Sequence, residues 1–195
     1  MSFKKAVLII FVILLIDQIS KIYIKTHFVL GEEVDVFNWF KIHFVENKGM
    51  AWGVQIPGQY GKLALTLFRL IAIVGIGYWL WDGVRKQAPK ILIVSVALIF
   101  AGAFGNIIDS VFYGLIFDDS YGQVANVFPE AGGYGTLFHG KVVDMFSFSF
   151  FNPVFNVADS SISIGVSILI LFNRKAFPRK EQKQKEYTSI EAIDQ

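Results

Sequence analysis

Four long apolar runs, at about Ala6–Ile24, Leu63–Trp81, Ile91–Ile108 and Phe155–Phe172, alternate with polar stretches along this chain. Each approaches the roughly 20 residues a helix needs to cross a bilayer, so the pattern predicts four transmembrane helices. Lys4 and Lys5 precede the first run, as in a secretory signal peptide, but no small-residue cleavage site follows. Asp17 and Lys21 stand where one belongs, which favours a retained helix. Between the first two runs, Val34–Val45 is rich in β-branched and aromatic residues with partial alternation. Glu46-Asn47-Lys48-Gly49 then supplies turn chemistry ahead of Met50–Val54, so a small hairpin or sheet on the outer membrane face is expected. The predicted class is an all-α polytopic membrane protein: four transmembrane helices with a small β-rich outer subdomain. Residues 1–175 form the membrane domain, with outer loops at 27–61 and 115–140, and residues 176–195 form a charged tail.

Composition strengthens the membrane reading. Hydrophobic residues make up 54% of the 195 positions and charged residues 17%, against about 25% charged in soluble domains. The net charge of +2 gives no basis for nucleic-acid binding. The chain has no cysteine, which excludes thiolate catalysis and Cys-ligated metals. Basic residues set the orientation. Lys4 and Lys5, then Arg85, Lys86 and Lys90, then Arg174, Lys175, Arg179, Lys180, Lys183 and Lys185 all fall on one side. Lys41, Lys48, Lys62 and Lys141 fall on the other. Both termini are therefore expected in the cytoplasm, with the two long loops outside. The tail Arg179–Gln195 reads as a disordered topology anchor.

Acidic residues within spans are costly and are functional suspects. Asp17 and Lys21 share a face toward the outer end of the first run, at i,i+4 spacing. Asn106 and Asp109 lie at the outer end of the third, with Gly102 and Gly105 allowing close helix approach. Asn156 and Asp159 open the fourth, and Asp144 lies in the loop before it. Four aspartates from separate segments thus reach one level beneath the outer interface. A helix cap or an interfacial anchor explains one such residue, since Asn156 suits an N-cap and Asp159 a helix N-terminus. Four at one depth call for more. Two adjacent carboxylates share a proton, which provides a base to activate water and an acid for the attacked carbonyl oxygen. Amide hydrolysis without a covalent intermediate follows.

Other chemistries fit less well. His27, His43 and His139 show no metal-ligand spacing. Ser20 and Lys21 are adjacent and face different directions on a helix, and Ser160 and Ser161 have no evident base. A small transporter or proton-relay subunit remains the alternative, although such sites lie near the midplane, and no internal repeat is evident. A noncatalytic membrane scaffold leaves the clustered acids unexplained.

Five blocks resemble lipoprotein signal peptidase (signal peptidase II), in the order of that family: Asp17-Gln18-Ile19-Ser20-Lys21, Glu46-Asn47-Lys48-Gly49-Met50-Ala51-Trp52, Gly102-Ala103-Phe104-Gly105-Asn106-Ile107-Ile108-Asp109, Gly140-Lys141-Val142-Val143-Asp144-Met145 and Phe155-Asn156-Val157-Ala158-Asp159. The resemblance implies an intramembrane aspartic endopeptidase of the bacterial inner membrane. It cuts diacylglyceryl-modified prolipoproteins before the lipid-modified cysteine. Asp144 and Asp159 are then the catalytic pair. Asp17, Lys21, Asn47, Gly49, Asn106, Asp109, Asn156 and Ala158 take supporting or substrate-contacting roles. No metal or organic cofactor is implied. Membrane lipid and the prolipoprotein are the expected partners, and cyclic peptide antibiotics the expected inhibitors.

Two departures stand out. Many relatives carry an arginine directly after the aspartate of the third block, where this chain has Ser110. A hydroxyl cannot replace a guanidinium's hydrogen bonds, so Arg69 is a substitute if it faces the cleft and otherwise snorkels outward. The segment Leu115–Gly140 also separates two blocks that lie close together in relatives. It is expected either to cover the paired acids as a lid or to be a passive insertion.

Overall fold

The computed structural model describes residues 1–48 and 61–178. Among the described residues, three helices are long and apolar enough to cross a membrane: α1 (Phe3–His27), α2 (Gly61–Arg85, its apolar part from Leu63) and α3 (Lys90–Ile108). α3 continues through a π-helical turn, Asp109–Tyr113, into the single turn α4 (Gly114–Ile116). A shorter apolar helix, α5 (Val157–Leu171), precedes the short α6 (Asn173–Ala176). The protein is a multi-pass membrane protein. The outward faces of α1 and α2 carry exposed Leu8, Phe11 and Ile19, and Phe68, Ile71 and Val74. Only lipid solvates such faces without cost.

α3 is the central helix. More than half of its most apolar stretch (56%) is buried, against 17% for α1 and α2. It packs against α1, α2 and α5. Small residues let it do so. A methyl group on Gly102 would lie 2.2 Å from the backbone oxygen of Ala158, so α5 rests directly on the α3 backbone at the end where Asp159 sits. Near the basic end, Ala6, Leu80, Leu92, Ile93, Val96, Ala97 and Ala176 form one apolar core. At the other end, Ile24, Phe44, Tyr113, Phe117, Ala125, Val143 and Met145 join α1, the sheet and the long insert into another.

The sheet is larger than the hairpin expected from the sequence. Strands β1 (Glu33–Phe37), β2 (Phe40–Asn47), β3 (Val142–Phe148) and β4 (Phe151–Phe155) form an antiparallel sheet in the order β1-β2-β3-β4. Two expectations need correcting here. The turn of the first hairpin is at Asn38-Trp39, while Glu46 and Asn47 are paired with Val143 and Val142 inside β2. The proposed strand Met50–Val54 lies outside the described residues, as do Gly49 and the tail from Arg179. The fourth apolar run is also divided: Phe155 ends β4, Asn156 caps, and the helix begins at Val157. A Phe-rich stretch such as Phe146–Phe155 suits either a strand or a span, and length alone did not separate them.

Candidate active site

The folded chain separates the four aspartates into two tiers. Asp144 on β3 and Asp159 in the first turn of α5 both line a cleft of about 690 Å³. Asn47, Asn106 and Arg69 supply further polar wall, and Phe148, Phe150, Phe151, Phe155 and Ile164 supply apolar wall. Asp17 and Asp109 sit behind this tier, fully buried, with Lys21 between them at 2.9 and 2.8 Å.

Two asparagines connect the tiers. Asn156 is the N-cap of α5, its side-chain oxygen accepting from the Asp159 backbone N–H at 2.9 Å. The capping reading of Asn156 was therefore correct, and it does not exhaust the residue. Its Nδ2 donates to Asp144 Oδ1 at 2.7 Å and to the Val143 carbonyl at 3.2 Å, so the cap also fixes β3 to α5. Asn106 on α3 donates from Nδ2 to Asp159 Oδ1 at 2.8 Å and accepts from Lys21 Nζ at 2.8 Å. Asn47 Nδ2 reaches the second oxygen of Asp144 at 3.2 Å. Each cleft carboxylate thus has a fixed amide donor, and the orientation of one donor is set by a buried ammonium.

The rear tier is held as closely. Asp17 Oδ1 accepts from the Ala158 backbone N–H at 2.9 Å, tying α1 to the first turn of α5. Gln18 Nε2 donates to Asp17 and Asp109 at 3.1 and 3.0 Å, and Tyr113 O–H donates to Gln18 Oε1 at 3.2 Å. Gln18 and Tyr113 were missed in the sequence. Gln18 lies within a recognised block, but nothing in the spacing shows that it can reach Asp109.

Burial pushes the Asp144 carboxyl up to about 7, and the charge of Asp159 adds to the shift. The hydrogen bonds from Asn47 and Asn156 and the Lys21 charge oppose it. Asp144 therefore keeps a proton at pH values where an ordinary aspartate has lost it.

Of the expected site residues, Asp144, Asp159, Asn47 and Asn106 come together on the cleft, and Asn156 bridges the two acids. Asp17, Lys21, Asp109 and Ala158 form the layer behind. Gly49 lies outside the described residues. Ser110 is buried in the π turn, its carbonyl accepting from Gly140 N–H, and it is not among the described cleft residues. Arg69 does line the cleft, and it lies in the fields of Asp159, Asp144 and Asp109, strongest first. His139 is turned away, its Nδ1 beside Thr136 Oγ1 and the Leu137 carbonyl.

A buried carboxyl, Asp144, and a half-buried one, Asp159, on one cleft among apolar helices fit the class of a membrane-bound aspartic hydrolase. The family model for signal peptidase (SPase) II matches residues 9–174, and the chain belongs to that family of aspartic endopeptidases. A lipoprotein signal peptidase of Porphyromonas gingivalis is 46% identical over 188 residues, covering 86% of this chain and 82% of the relative. One from Amoebophilus asiaticus is 33% identical, covering 92% and 80%. A bacterial membrane enzyme solved by the in meso method at 2.3 Å superposes with a TM-score of 0.65 at 27% identity, over 91% of this chain and 93% of that one.

Proposed function

We propose that Asp144 and Asp159 are the acids with which this signal peptidase II removes signal peptides from prolipoproteins. The observation that carries the assignment is their shared cleft, with the Asp144 carboxyl raised to about 7 by burial and by Asp159. With one proton between them, the ionised carboxylate takes a proton from water as it attacks the scissile carbonyl. The protonated carboxyl donates to the developing oxyanion. As the C–N bond breaks, the proton gained by the base passes to the leaving amine. The hydroxyl of the tetrahedral intermediate returns its proton to the other carboxylate, and the pair regains its single proton without an acyl-enzyme.

The substrate is a prolipoprotein carrying a diacylglyceryl group, cut before the modified cysteine. The aromatic wall of Phe148, Phe150, Phe151 and Phe155 suits its apolar parts. Arg69 takes the place of the guanidinium that many relatives carry where this chain has Ser110; its position on the cleft wall supports that reading. Cyclic peptide antibiotics would occupy the same cleft. We place the protein in the inner membrane with both termini cytoplasmic, on the asymmetry of its basic residues. The cleft then faces outward, and α5 with α6 forms the fourth span. From Val157 to Ala176 that pair reaches roughly 30 Å at 1.5 Å per residue, about the thickness of the hydrocarbon layer. Residues 1–175 act as one membrane domain, with 176–195 as a cytoplasmic tail.

The pH profile of cleavage tests the shared proton. For purified protein acting on a diacylglyceryl prolipoprotein, kcat should fall as pH rises through about 7, where Asp144 loses its proton. A rate that is flat from pH 6 to about 9 would leave the pair without its acid.

A further inference from the structure

The insert between the third and fourth blocks does not cover the cleft: among the described residues, none of its side chains lines it. Its Phe117, Ala125 and Tyr134 pack behind the sheet, against the end of α1 at Ile24, while Phe138 packs against Ile73 of α2 and Ile107 of α3. Val124 bridges Val29, Leu30 N–H donates to the Ser120 carbonyl, and Phe117 packs with Phe44, Tyr113 and Met145.

At the centre of that contact is Glu46, whose side chain is 2% exposed and pairs with two lysines. Lys25 on α1 donates to one carboxylate oxygen and, at 2.7 Å, to Ser120 Oγ of the insert. Lys141 donates to the other at 2.6 Å. The insert's Tyr134 accepts from the Lys141 backbone N–H at 2.6 Å, and its ring lies 4.9 Å from both ammonium groups. Neighbouring strand residues point to opposite faces. While Glu46 is fastened behind the sheet, Asn47 faces the cleft and donates to Asp144. Glu46 pairs with Val143 in the ladder, between Asn47↔Val142 and Val45↔Asp144, with a register irregularity just before, between Ile42 and Val45. Register beside such an irregularity needs a fastening.

We propose that the insert is a brace: Ser120 and Tyr134, through Lys25 and Lys141, fix Glu46, and Glu46 is a positioning residue that holds Asn47 at Asp144. Burying Lys25 against Glu46 is stable only if its remaining donors are satisfied, whereas Lys141 keeps part of its side chain exposed. Ser120 and the three rings around Lys25 (Phe44, Phe117 and Tyr134) do this.

The inference rests on the dyad reading above, and its test separates the two. The groups facing Asp144 are Asp159 and the capping Asn156 at α5, Lys21 on α1, Asn47 on β2 and Arg69 on α2. Of these, Glu46→Gln disturbs only Asn47. Its kcat should fall about tenfold, the scale of one lost hydrogen bond to a charged group. KM should stay within about twofold, since no substrate contact is removed. The ionisation near pH 7 should move upward, because the Asn47 hydrogen bond favours the charged carboxylate. Asn47→Ala should move it equally, and the combined variant should be no slower than Asn47→Ala alone. Tyr134→Phe combined with Ser120→Ala should give the same signature in weaker form, and this pair carries the test if Glu46→Gln fails to fold. An unmoved pH profile, strictly additive losses, or a rise confined to KM would overturn the brace. Asp144→Asn is assayed alongside: activity there removes the dyad, whereas an inactive Asp144→Asn beside a normal Glu46→Gln removes the brace alone.

Discussion

Asp144→Asn and Asp159→Asn are each expected to lower kcat by about four orders of magnitude or more, the scale seen when one member of an acid–base unit is removed. Both replacements keep their shape. Asn156 can still donate to the retained oxygen at position 144, and Asn106 to that at position 159. Folding should therefore survive, and it carries its own sign. Because the folded chain raises the Asp144 pKa from the ordinary 3.8 to about 7, it holds a proton that the unfolded chain releases. That contribution to stability is complete below 3.8 and is lost as pH rises through about 7. Asp144→Asn should consequently gain on the native protein in thermal denaturation as pH increases over that window. Substantial turnover by either variant on a diacylglyceryl prolipoprotein would end the assignment.

Lys21→Met is expected to cost about 3–5 kcal/mol, the range for removing one partner from a buried ion group. The ammonium is fully buried between Asp17 and Asp109 and also orients Asn106. Without it, two buried carboxylates face each other, and Asn106 is free to turn its amide away from Asp159. Activity should fall along with stability. Asp17→Asn and Asp109→Asn should each do less to the chemistry, because Lys21 keeps one anion and its hold on Asn106. Chemical denaturation in detergent, read beside cleavage rates, checks the order. A Lys21→Met protein as stable as the native one would mean that the rear tier is decorative.

The membrane class and the gathering of the acids toward one end of the helices were legible because charge is rare in apolar runs and its place along a run follows from position alone. Asp17 and Lys21 could be paired from i,i+4 spacing, and the same face continues to Lys25, one turn on. Spacing alone did not reveal which acids share a wall, although the family resemblance had named Asp144 and Asp159. Asp109 and Asp144 are neighbours in the loop's logic, yet Asp109 turns behind β3 toward Lys21, and Asp159 meets Asp144 through Asn156. Helix rotation and strand facing decide this, and both are settled by contacts far apart in the chain. The hairpin turn was misplaced for a related reason. Glu46-Asn47-Lys48-Gly49 has turn chemistry, but Asn47 is drawn into the ladder by Val142 and Glu46 by Lys25 and Lys141. The insert's place behind the sheet depends on Ser120 and Tyr134 meeting lysines that precede and follow it, which no local pattern announces.

The central claim is a single proton held by the cleft pair, and an infrared titration of the carboxyl band in the purified protein tests it most directly. One protonated carboxyl should disappear as pH passes through about 7, and that step should be missing in Asp144→Asn. The account is contradicted if no carboxyl titrates in that range, or if the same step persists once Asp144 has been replaced.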